Sequence, residues 1–292
     1  MLRAAVGLGA RHLTKLAAVG TRCVSTAVLE PISIAAPATR VLRMNRPPVN
    51  SLSLELLEDM ATTIAEAEAD PECRALVLAS AQPTVFSAGL DITEMHAPDA
   101  SRLRRFWSAF QEVWLRLSSS KLATVAAVEG HSPAGGCILA ICCDYRVMAT
   151  GDPVGGKAFR IGLNETKLGI VAPPWVAETF QSIVGLRQAD FMLQRGSLIT
   201  AEDAVAVGLV DEAVAQDEVM ARAAVAVEEL LAVPDMARHQ SKMFVRQPMI
   251  DRLVAQRDAD TESFATFVLS SKVQQSLTSY LGALKKRSAK AS

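Results

Sequence analysis

The chain has 292 residues, of which 50% are hydrophobic and 21% charged, and its formal net charge is −1. A chain of this length can bury a large core, so it does not depend on disulfides for its stability. No stretch approaches the roughly eighteen consecutive apolar residues of a membrane span. We therefore predict that the chain does not span a membrane.

The first 28 residues differ in composition from the rest of the chain. They contain four basic residues and no carboxylate, because the first acidic residue is Glu30. Arg11 and Lys15 interrupt the apolar run that a secretory signal needs, whereas a basic segment without acids is typical of a mitochondrial transit peptide. We therefore predict a transit peptide over 1–28 and a location in the mitochondrial matrix, with a disordered basic tail as the alternative.

Removing this segment changes the charge balance of the chain. The remaining residues have 26 basic side chains against 31 acidic ones, a net charge of about −5. Nucleic-acid-binding domains usually carry a basic surface, so nucleic acid is not expected as a partner.

The middle of the chain alternates short apolar segments with helical patterns. Strands are predicted over 39–44, 74–80, 122–128 and 144–149. Helices are predicted over about 53–69, around 106–117 and over 136–143. Alternation of this kind is typical of an α/β fold with covered sheet faces. From about Trp175 the pattern is almost continuously helical, so we predict a core over 29–215 and a helical C-terminal region over 216–292.

The five cysteines show no CxxC motif and no Cys/His ligand spacing. Cys137, Cys142 and Cys143 lie in one apolar run, and Cys23 lies in the predicted leader. We interpret the three clustered cysteines as small buried hydrophobic residues in a reducing compartment, and we predict no metal site.

Three short segments point to chemistry only when they are taken together. Phe86–Asp91 (FSAGLD) and His131–Cys137 (HSPAGGC) are loops of small residues that follow a predicted strand. Glycine lets the backbone approach a ligand closely, and free N–H groups at such turns can stabilise a developing negative oxygen. The third segment, 161–174, places Glu165 in an apolar stretch. Burial there would raise the pKa of this carboxylate towards the range of a general base near neutral pH.

In this order the segments resemble the enoyl-CoA hydratase/isomerase (crotonase) superfamily, and in particular its isomerase branch. The resemblance covers nearly all of the chain after about Val28. It is carried by RPPVNSLSLELL (46–57), VFSAGLDITEM (85–95), PAGGCILAICCDYRVMA (133–149), GLNETKLGIVAPPW (162–175) and QRDAD (256–260). The resemblance implies an α/β crotonase-like spiral of ββα units, with a helical C-terminal region that usually builds trimers. A homotrimer is therefore expected.

The resemblance also implies roles for individual residues. Glu165 corresponds to the catalytic glutamate, and the backbone N–H groups of Leu90 and Gly135 correspond to the donors of an oxyanion hole. The implied substrate-binding residues are Ala88, Gly89, Leu90, Asp91, Ile92, Gly135 and Asn164. The substrate would be an acyl-CoA thioester. No separate cofactor is expected, because coenzyme A is part of the substrate.

Position 138 distinguishes two reactions of the superfamily. Its hydratases carry a second glutamate directly after the GGC triplet, where this chain has Ile138. Two carboxylates are needed to hold and activate a water, whereas one carboxylate in an apolar pocket suits a proton shuttle. The resemblance therefore implies isomerisation of 3-cis- or 3-trans-enoyl-CoA to 2-trans-enoyl-CoA, in the β-oxidation of unsaturated fatty acids, through a dienolate.

Three alternatives stay open: a hydratase that uses Glu165 alone, a non-catalytic acyl-CoA-binding homologue and an RNA-binding member of the superfamily. A serine hydrolase is disfavoured, because the near-match GHSPAG places Pro133, which has no N–H, where the nucleophile elbow needs a donor. The segment 149–162 is longer than the superfamily pattern. We predict that it forms an extended surface loop.

Overall fold

The computed structural model describes residues 27–31 and 38–291. The predicted leader, 1–28, lies outside the described residues except for Ala27 and Val28. These two residues begin the first strand, so the strand overlaps the last two residues of the predicted leader. The boundary between leader and core therefore stays a prediction.

In the described part of the chain, the main sheet has six strands. In their order across the sheet they are β1 (Ala27–Pro31), β2 (Thr39–Met44), β3 (Ala75–Ser80), β4 (Ala123–Val128), β6 (Tyr145–Ala149) and β9 (Glu212–Val214). Strand β1 is antiparallel to β2, and all the other neighbours are parallel. Every residue of β3 and β4 is buried, and this explains why both strands are almost entirely apolar.

Nine α-helices lie around the sheet and follow it in the described part of the chain. They are α1 (Leu54–Ala69), α2 (Ala100–Ser119), α3 (Gly135–Cys142), α4 (Pro174–Val184), α5 (Leu186–Arg195), α6 (Ala201–Ala206), α7 (Val219–Leu231), α8 (Asp235–Leu269) and α9 (Ser271–Ala291). Ser53 and Asp99 cap the first two helices, since their side chains accept hydrogen bonds from the backbone N–H groups of Leu56 and Arg102. None of the described helices is long and apolar enough to cross a membrane.

A second, small sheet was not predicted. It consists of β5 (Ser132–Pro133), β7 (Arg160–Gly162) and β8 (Ile199–Thr200), in the order β5-β7-β8. The prediction of a surface loop over 149–162 is therefore wrong at its C-terminal end, where the segment enters β7 and buries Phe159 and Ile161. Strands of two or three residues are too short to give a period-2 pattern, so only their partners reveal them.

The longer predicted elements are confirmed, most of them to within one or two residues, although α2 begins six residues before Phe106, the first residue of the predicted pattern. The buried helix predicted over 136–143 is α3, and the almost continuous helical region begins with α4 at Pro174. The four described cysteines are free and buried, which confirms the prediction of burial for Cys137, Cys142 and Cys143. After β9 the described chain forms a short 3-10 turn (Gln216–Glu218) and then only helices. The division of the chain at 216 stays a prediction.

Candidate active site

The FSAGLD loop and the beginning of α3 are in direct contact. Gly89 has a φ of +90°, and a Cβ added to it would lie 3.0 Å from both the Cβ of Ala134 and the backbone N of Gly135. A Cβ added to Gly135 would lie 3.1 Å from the backbone N of Leu90. Only glycine permits this close approach. As a result, the backbone amides of Leu90 and Gly135 lie next to each other.

Both amides are free to bind a ligand. Leu90 forms a bridge with Leu52, but its neighbours make the hydrogen bonds: the N–H of Leu52 donates to the carbonyl of Gly89, and the N–H of Asp91 donates to the carbonyl of Leu52. Gly135 is the first residue of α3, where a helix has no internal acceptor for its N–H groups. Within the described part of the chain, neither N–H donates to a protein acceptor. Two adjacent free donors can stabilise a negative oxygen.

The small sheet holds the beginning of α3 in place. Ala134 has φ 48° and ψ −120°, a conformation that residues with a side chain rarely adopt. Its N–H donates to the carbonyl of Gly162 in β7, at 2.8 Å between N and O. Two residues after Ala134, a Cβ on Gly136 would lie 2.5 Å from the carbonyl oxygen of Ser87. The unpredicted strand β7 therefore positions the turn that exposes the amide of Gly135.

Glu165 begins a short 3-10 turn (Glu165–Leu168) that ends at Gly169, whose φ is +75°. Glu165 is half-buried, and it lines a cavity. Burial raises the pKa of Glu165 from 4.5 to about 7. No described lysine, arginine or histidine forms an ion pair with this carboxylate. The side chain is therefore a proton acceptor whose pKa lies near neutral pH.

These groups line one apolar cavity of about 220 Å³. Its described walls include Ala88, Leu90, Ile92, Met95, Trp107, Phe110, Pro133, Ala134, Gly135, Ile138, Asn164, Glu165, Leu168, Ile170, Val171, Pro173, Phe264, Phe267, Val268 and Tyr280. Glu165 is the only carboxylate among them. Ile138 is buried and also lines the cavity, so an apolar side chain stands where the hydratase pattern has a second glutamate.

The structure brings most of the predicted site residues together. Gly89 and Asp91 do not line the cavity. Gly89 lies behind the cavity wall, where its backbone contacts Gly135 closely. The carboxylate of Asp91 accepts a hydrogen bond from the N–H of Thr93 at 2.9 Å and forms an ion pair with Arg46 at 2.7 Å. Asp91 thus fixes the shape of the loop instead of facing the space where a substrate would lie.

The sequence did not reveal the aromatic wall of the cavity. Trp107 and Phe110 come from α2, and Phe264 and Phe267 come from α8. Their spacing predicts only a helix with a buried face, because helical periodicity is the same for a core position and a pocket wall. Asn164 lines the same cavity, and its Oδ1 is buried without a hydrogen-bond partner in the described structure.

A second, more open depression adjoins the cavity. It shares Leu168 and Tyr280 with the cavity wall, and it is also lined by Lys167, Lys272 and hydroxyl side chains of α9. The two lysines place positive charge beside the mouth of an otherwise apolar pocket. They lie about a hundred residues apart in the sequence, so no local motif identified them.

Comparison with known proteins agrees with this geometry. The family profile described as enoyl-CoA hydratase/isomerase matches residues 37–289. The chain belongs to this family. It is 42% identical to enoyl-CoA delta isomerase 1, mitochondrial, of Mus musculus over 247 residues, which are 85% of this chain and 84% of the mouse protein. The crystal structure of human mitochondrial delta3-delta2-enoyl-CoA isomerase matches it with a TM-score of 0.85 at 41% identity, over 90% of this chain and 99% of that chain.

Relatives with another activity are also found in the family. The short-chain-enoyl-CoA hydratase of Clostridium acetobutylicum is 30% identical over 231 residues, which are 77% of this chain and 86% of that protein. The resemblance predicted from the motifs and the crotonase-like α/β fold are confirmed. Because the enoyl-CoA hydratase/isomerase family includes both reactions, the residues of the cavity have to distinguish them.

Proposed function

We propose that this protein is an enoyl-CoA isomerase, which converts 3-cis- or 3-trans-enoyl-CoA into 2-trans-enoyl-CoA in the β-oxidation of unsaturated fatty acids. The observation that carries the proposal is the presence of one described carboxylate, Glu165, beside two free amides in an apolar cavity. Similarity to mitochondrial isomerases of mouse and human supports the same activity and a mitochondrial location. The leader proposed over 1–28 would direct the chain there.

The mechanism follows from these three groups. The thioester oxygen accepts hydrogen bonds from the N–H groups of Leu90 and Gly135. The carboxylate of Glu165 removes a proton from C2, and the electron pair of the C–H bond moves into the thioester to give a dienolate. The protonated Glu165 then returns the proton to C4, so that the double bond lies between C2 and C3. A pKa of about 7 suits both steps, because the group can accept and release a proton at neutral pH.

The wall of the cavity disfavours hydration. Adding water to the C2=C3 bond needs a second polar group to hold and activate the water, and Ile138 provides none. A non-catalytic role is disfavoured as well, since the base and both amide donors are present and accessible from the cavity. The proton shuttle therefore fits the site better than either alternative.

Coenzyme A would extend from the cavity into the adjoining depression. Its phosphates carry negative charge, and the exposed ammonium groups of Lys167 and Lys272 are the described cations that line this depression. We assign these two lysines to phosphate binding. The acyl chain would then occupy the apolar part of the cavity.

A homotrimer is part of the proposal. Large apolar side chains are exposed along α8, with 84% of Phe244, 78% of Val245 and 72% of Met236 accessible in the single chain. A patch of this kind is typical of a surface that another subunit covers. Size-exclusion chromatography with light scattering measures the state directly, and a monomer at micromolar concentration would contradict it.

A paired assay on the purified full-length protein tests the activity. The rates of forming the conjugated thioester from 3-hexenoyl-CoA and of hydrating 2-trans-hexenoyl-CoA are measured side by side. We expect rapid isomerisation, negligible hydration and loss of turnover in Glu165→Gln, which keeps the shape of the base but cannot accept the proton. Faster hydration than isomerisation would assign the protein to the hydratases, and full activity of Glu165→Gln would rule out the single-base mechanism.

A further inference from the structure

Asp260 on α8 lies behind the aromatic wall of the cavity, and the proposed reaction gives it no role. Its Oδ2 accepts three hydrogen bonds, from Trp107 Nε1 at 2.7 Å, Gln111 Nε2 at 2.7 Å and Trp175 Nε1 at 3.2 Å. The donors come from α2 and α4, so one carboxylate connects three helices. In the part of the chain that the structure describes, no lysine or arginine forms an ion pair with Asp260.

The two indoles that Asp260 binds belong to a continuous aromatic cluster. Trp107 lines the cavity and stacks on Phe264, with ring centroids 3.6 Å apart and an angle of 9° between the ring planes. Trp175 packs behind it, with its centroid 5.9 Å from that of Trp107 and 5.5 Å from that of Phe110. The rings that face the cavity are thus supported by a ring that does not.

The orientation of the two indole rings depends on one hydrogen-bond acceptor, Asp260. A buried indole N–H needs a hydrogen-bond partner, because a buried donor without one destabilises the folded state. Trp107 and Trp175 are both buried, and Asp260 is the described acceptor for both. A charged acceptor makes stronger hydrogen bonds than a neutral one, so the carboxylate holds both planes firmly.

We propose that Asp260 is a positioning residue that fixes the aromatic wall and thereby sets how the enzyme discriminates between acyl chains of different length. The proposal rests on the proposed function, in that the cavity must hold the acyl chain. Asp260 does not line the cavity itself, so its effect on the substrate passes through Trp107. A chain long enough to contact the wall gains from its rigidity, whereas a short chain held near Glu165 does not.

Two substitutions of Asp260 and one control separate positioning from general stability. Asp260→Leu removes the acceptor and keeps the branched shape of the side chain, and Asp260→Asn keeps a carbonyl oxygen. Asp258→Leu is the matched control, because Asp258 is exposed on the same helix. We compare kcat/KM for 3-dodecenoyl-CoA with kcat/KM for 3-hexenoyl-CoA. In Asp260→Leu this ratio should fall about tenfold, the size expected for two unpaired donors and a loosened pocket.

The other variants and the pH profile define the role further. Asp260→Asn should restore most of the wild-type ratio, and Asp258→Leu should keep it. The apparent pKa of the reaction should be the same in all four proteins, because Asp260 does not contact Glu165. An unchanged length ratio in folded Asp260→Leu would overturn the proposal, as would an equal fall in Asp258→Leu.

Tryptophan fluorescence tests the wall without any turnover. The chain has three tryptophans, and all of them, Trp107, Trp114 and Trp175, belong to this cluster. Titration of the wild-type protein with saturated dodecanoyl-CoA should change the emission more than titration with hexanoyl-CoA, and free coenzyme A should leave it nearly unchanged. Saturated thioesters are not isomerised, so this binding measurement does not depend on whether the protein has the proposed activity. An emission that responds equally to both chain lengths would overturn the proposal even if Asp260→Leu does not fold.

Discussion

At the scale of single residues, Glu165 differs from the other acidic groups near the site. Asp91 and Glu94 are more deeply buried, but Asp91 pairs with Arg46 at 2.7 Å and Glu94 pairs with Arg102 at 2.6 Å. Glu165 faces the cavity without such a cation. A carboxylate that is desolvated and unpaired is costly when ionised, and this cost raises its pKa and makes it an effective base.

The pKa of Glu165 predicts the pH dependence of the reaction. The base must be ionised in the free enzyme, so kcat/KM should fall about tenfold for each pH unit below about 7 and level off above it. Initial rates with 3-hexenoyl-CoA between about pH 5 and pH 9 give this profile. A rate that stays constant down to pH 5 would show that a group with an ordinary carboxyl pKa, and not Glu165, limits the reaction.

The same pKa predicts that the base destabilises the fold. Its pKa is about 7 in the folded protein against 4.5 for an ordinary glutamate side chain, so the folded state binds the proton more tightly than the unfolded state. Stability from this group is therefore present below pH 4.5 and is lost as pH rises to about 7. Urea unfolding should show Glu165→Gln to be more stable than wild type at pH 8, by up to about 3 kcal/mol, with a smaller difference at pH 5.5. Equal stability of the two proteins at pH 8 would contradict the raised pKa.

At the scale of elements, the oxyanion site depends on how α3 begins. A Cβ on Gly135 would lie 2.9 Å from the Cδ1 of Leu52 and 3.1 Å from the N of Leu90. The N–H of Leu90 is one of the two donors proposed for the thioester oxygen. A single methyl group at this point is therefore expected to separate the two amides or to cover one of them.

Gly135→Ala should reduce kcat by about 10²–10³, the usual cost of losing one oxyanion donor. Steady-state kinetics with 3-hexenoyl-CoA measures this effect, and circular dichroism checks the fold. Gly282→Ala is the matched control, since a Cβ at Gly282 meets no atom of the described residues within 4 Å, and it should leave kcat unchanged. Wild-type activity in Gly135→Ala would show that the carbonyl oxygen binds elsewhere.

At the scale of the whole molecule, one polar cluster holds α8 against the core. Asp144, just before β6, forms ion pairs with Lys242 at 2.7 Å and Arg246 at 3.1 Å, and Lys242 is almost completely buried. The Lys242 ammonium also donates to the carbonyls of Ser120 and Leu122. Since α8 also carries Phe264 and Asp260, this cluster positions the aromatic wall of the cavity as well as the helix.

Asp144→Ala should lower the free energy of unfolding by about 3–5 kcal/mol, because it leaves buried cations without their partner. The measurement is urea unfolding of the purified variant. Asp190→Ala provides the comparison, since Asp190 pairs with Arg187 on an exposed surface, and it should change stability by less than about 1 kcal/mol. Similar losses in the two variants would show that the cluster at Asp144 contributes no more than a surface pair.

Local patterns in the sequence determined the strands, the long helices and the positions of the chemical groups. Apolar runs and helical spacing depend on neighbours a few residues away, so β3, β4, α1 and α2 could be predicted from them. Glycine in FSAGLD and PAGGC marked a close approach of backbone segments for the same reason. Glu165 and Ile138 could be identified because their type and their place in a motif carry the information.

The tertiary structure alone decided what surrounds those groups. Trp107 and Asp260 are 153 residues apart, and Arg46 and Asp91 come from different loops, so no local pattern pairs them. The strand β7 is too short to show an alternating apolar pattern, and it is defined by its pairing with β5 and β8. Contacts between distant residues depend on how packed helices and strands fit together. This fit sets the pKa of Glu165, the position of the Gly135 amide at the cavity and the shape of the aromatic wall.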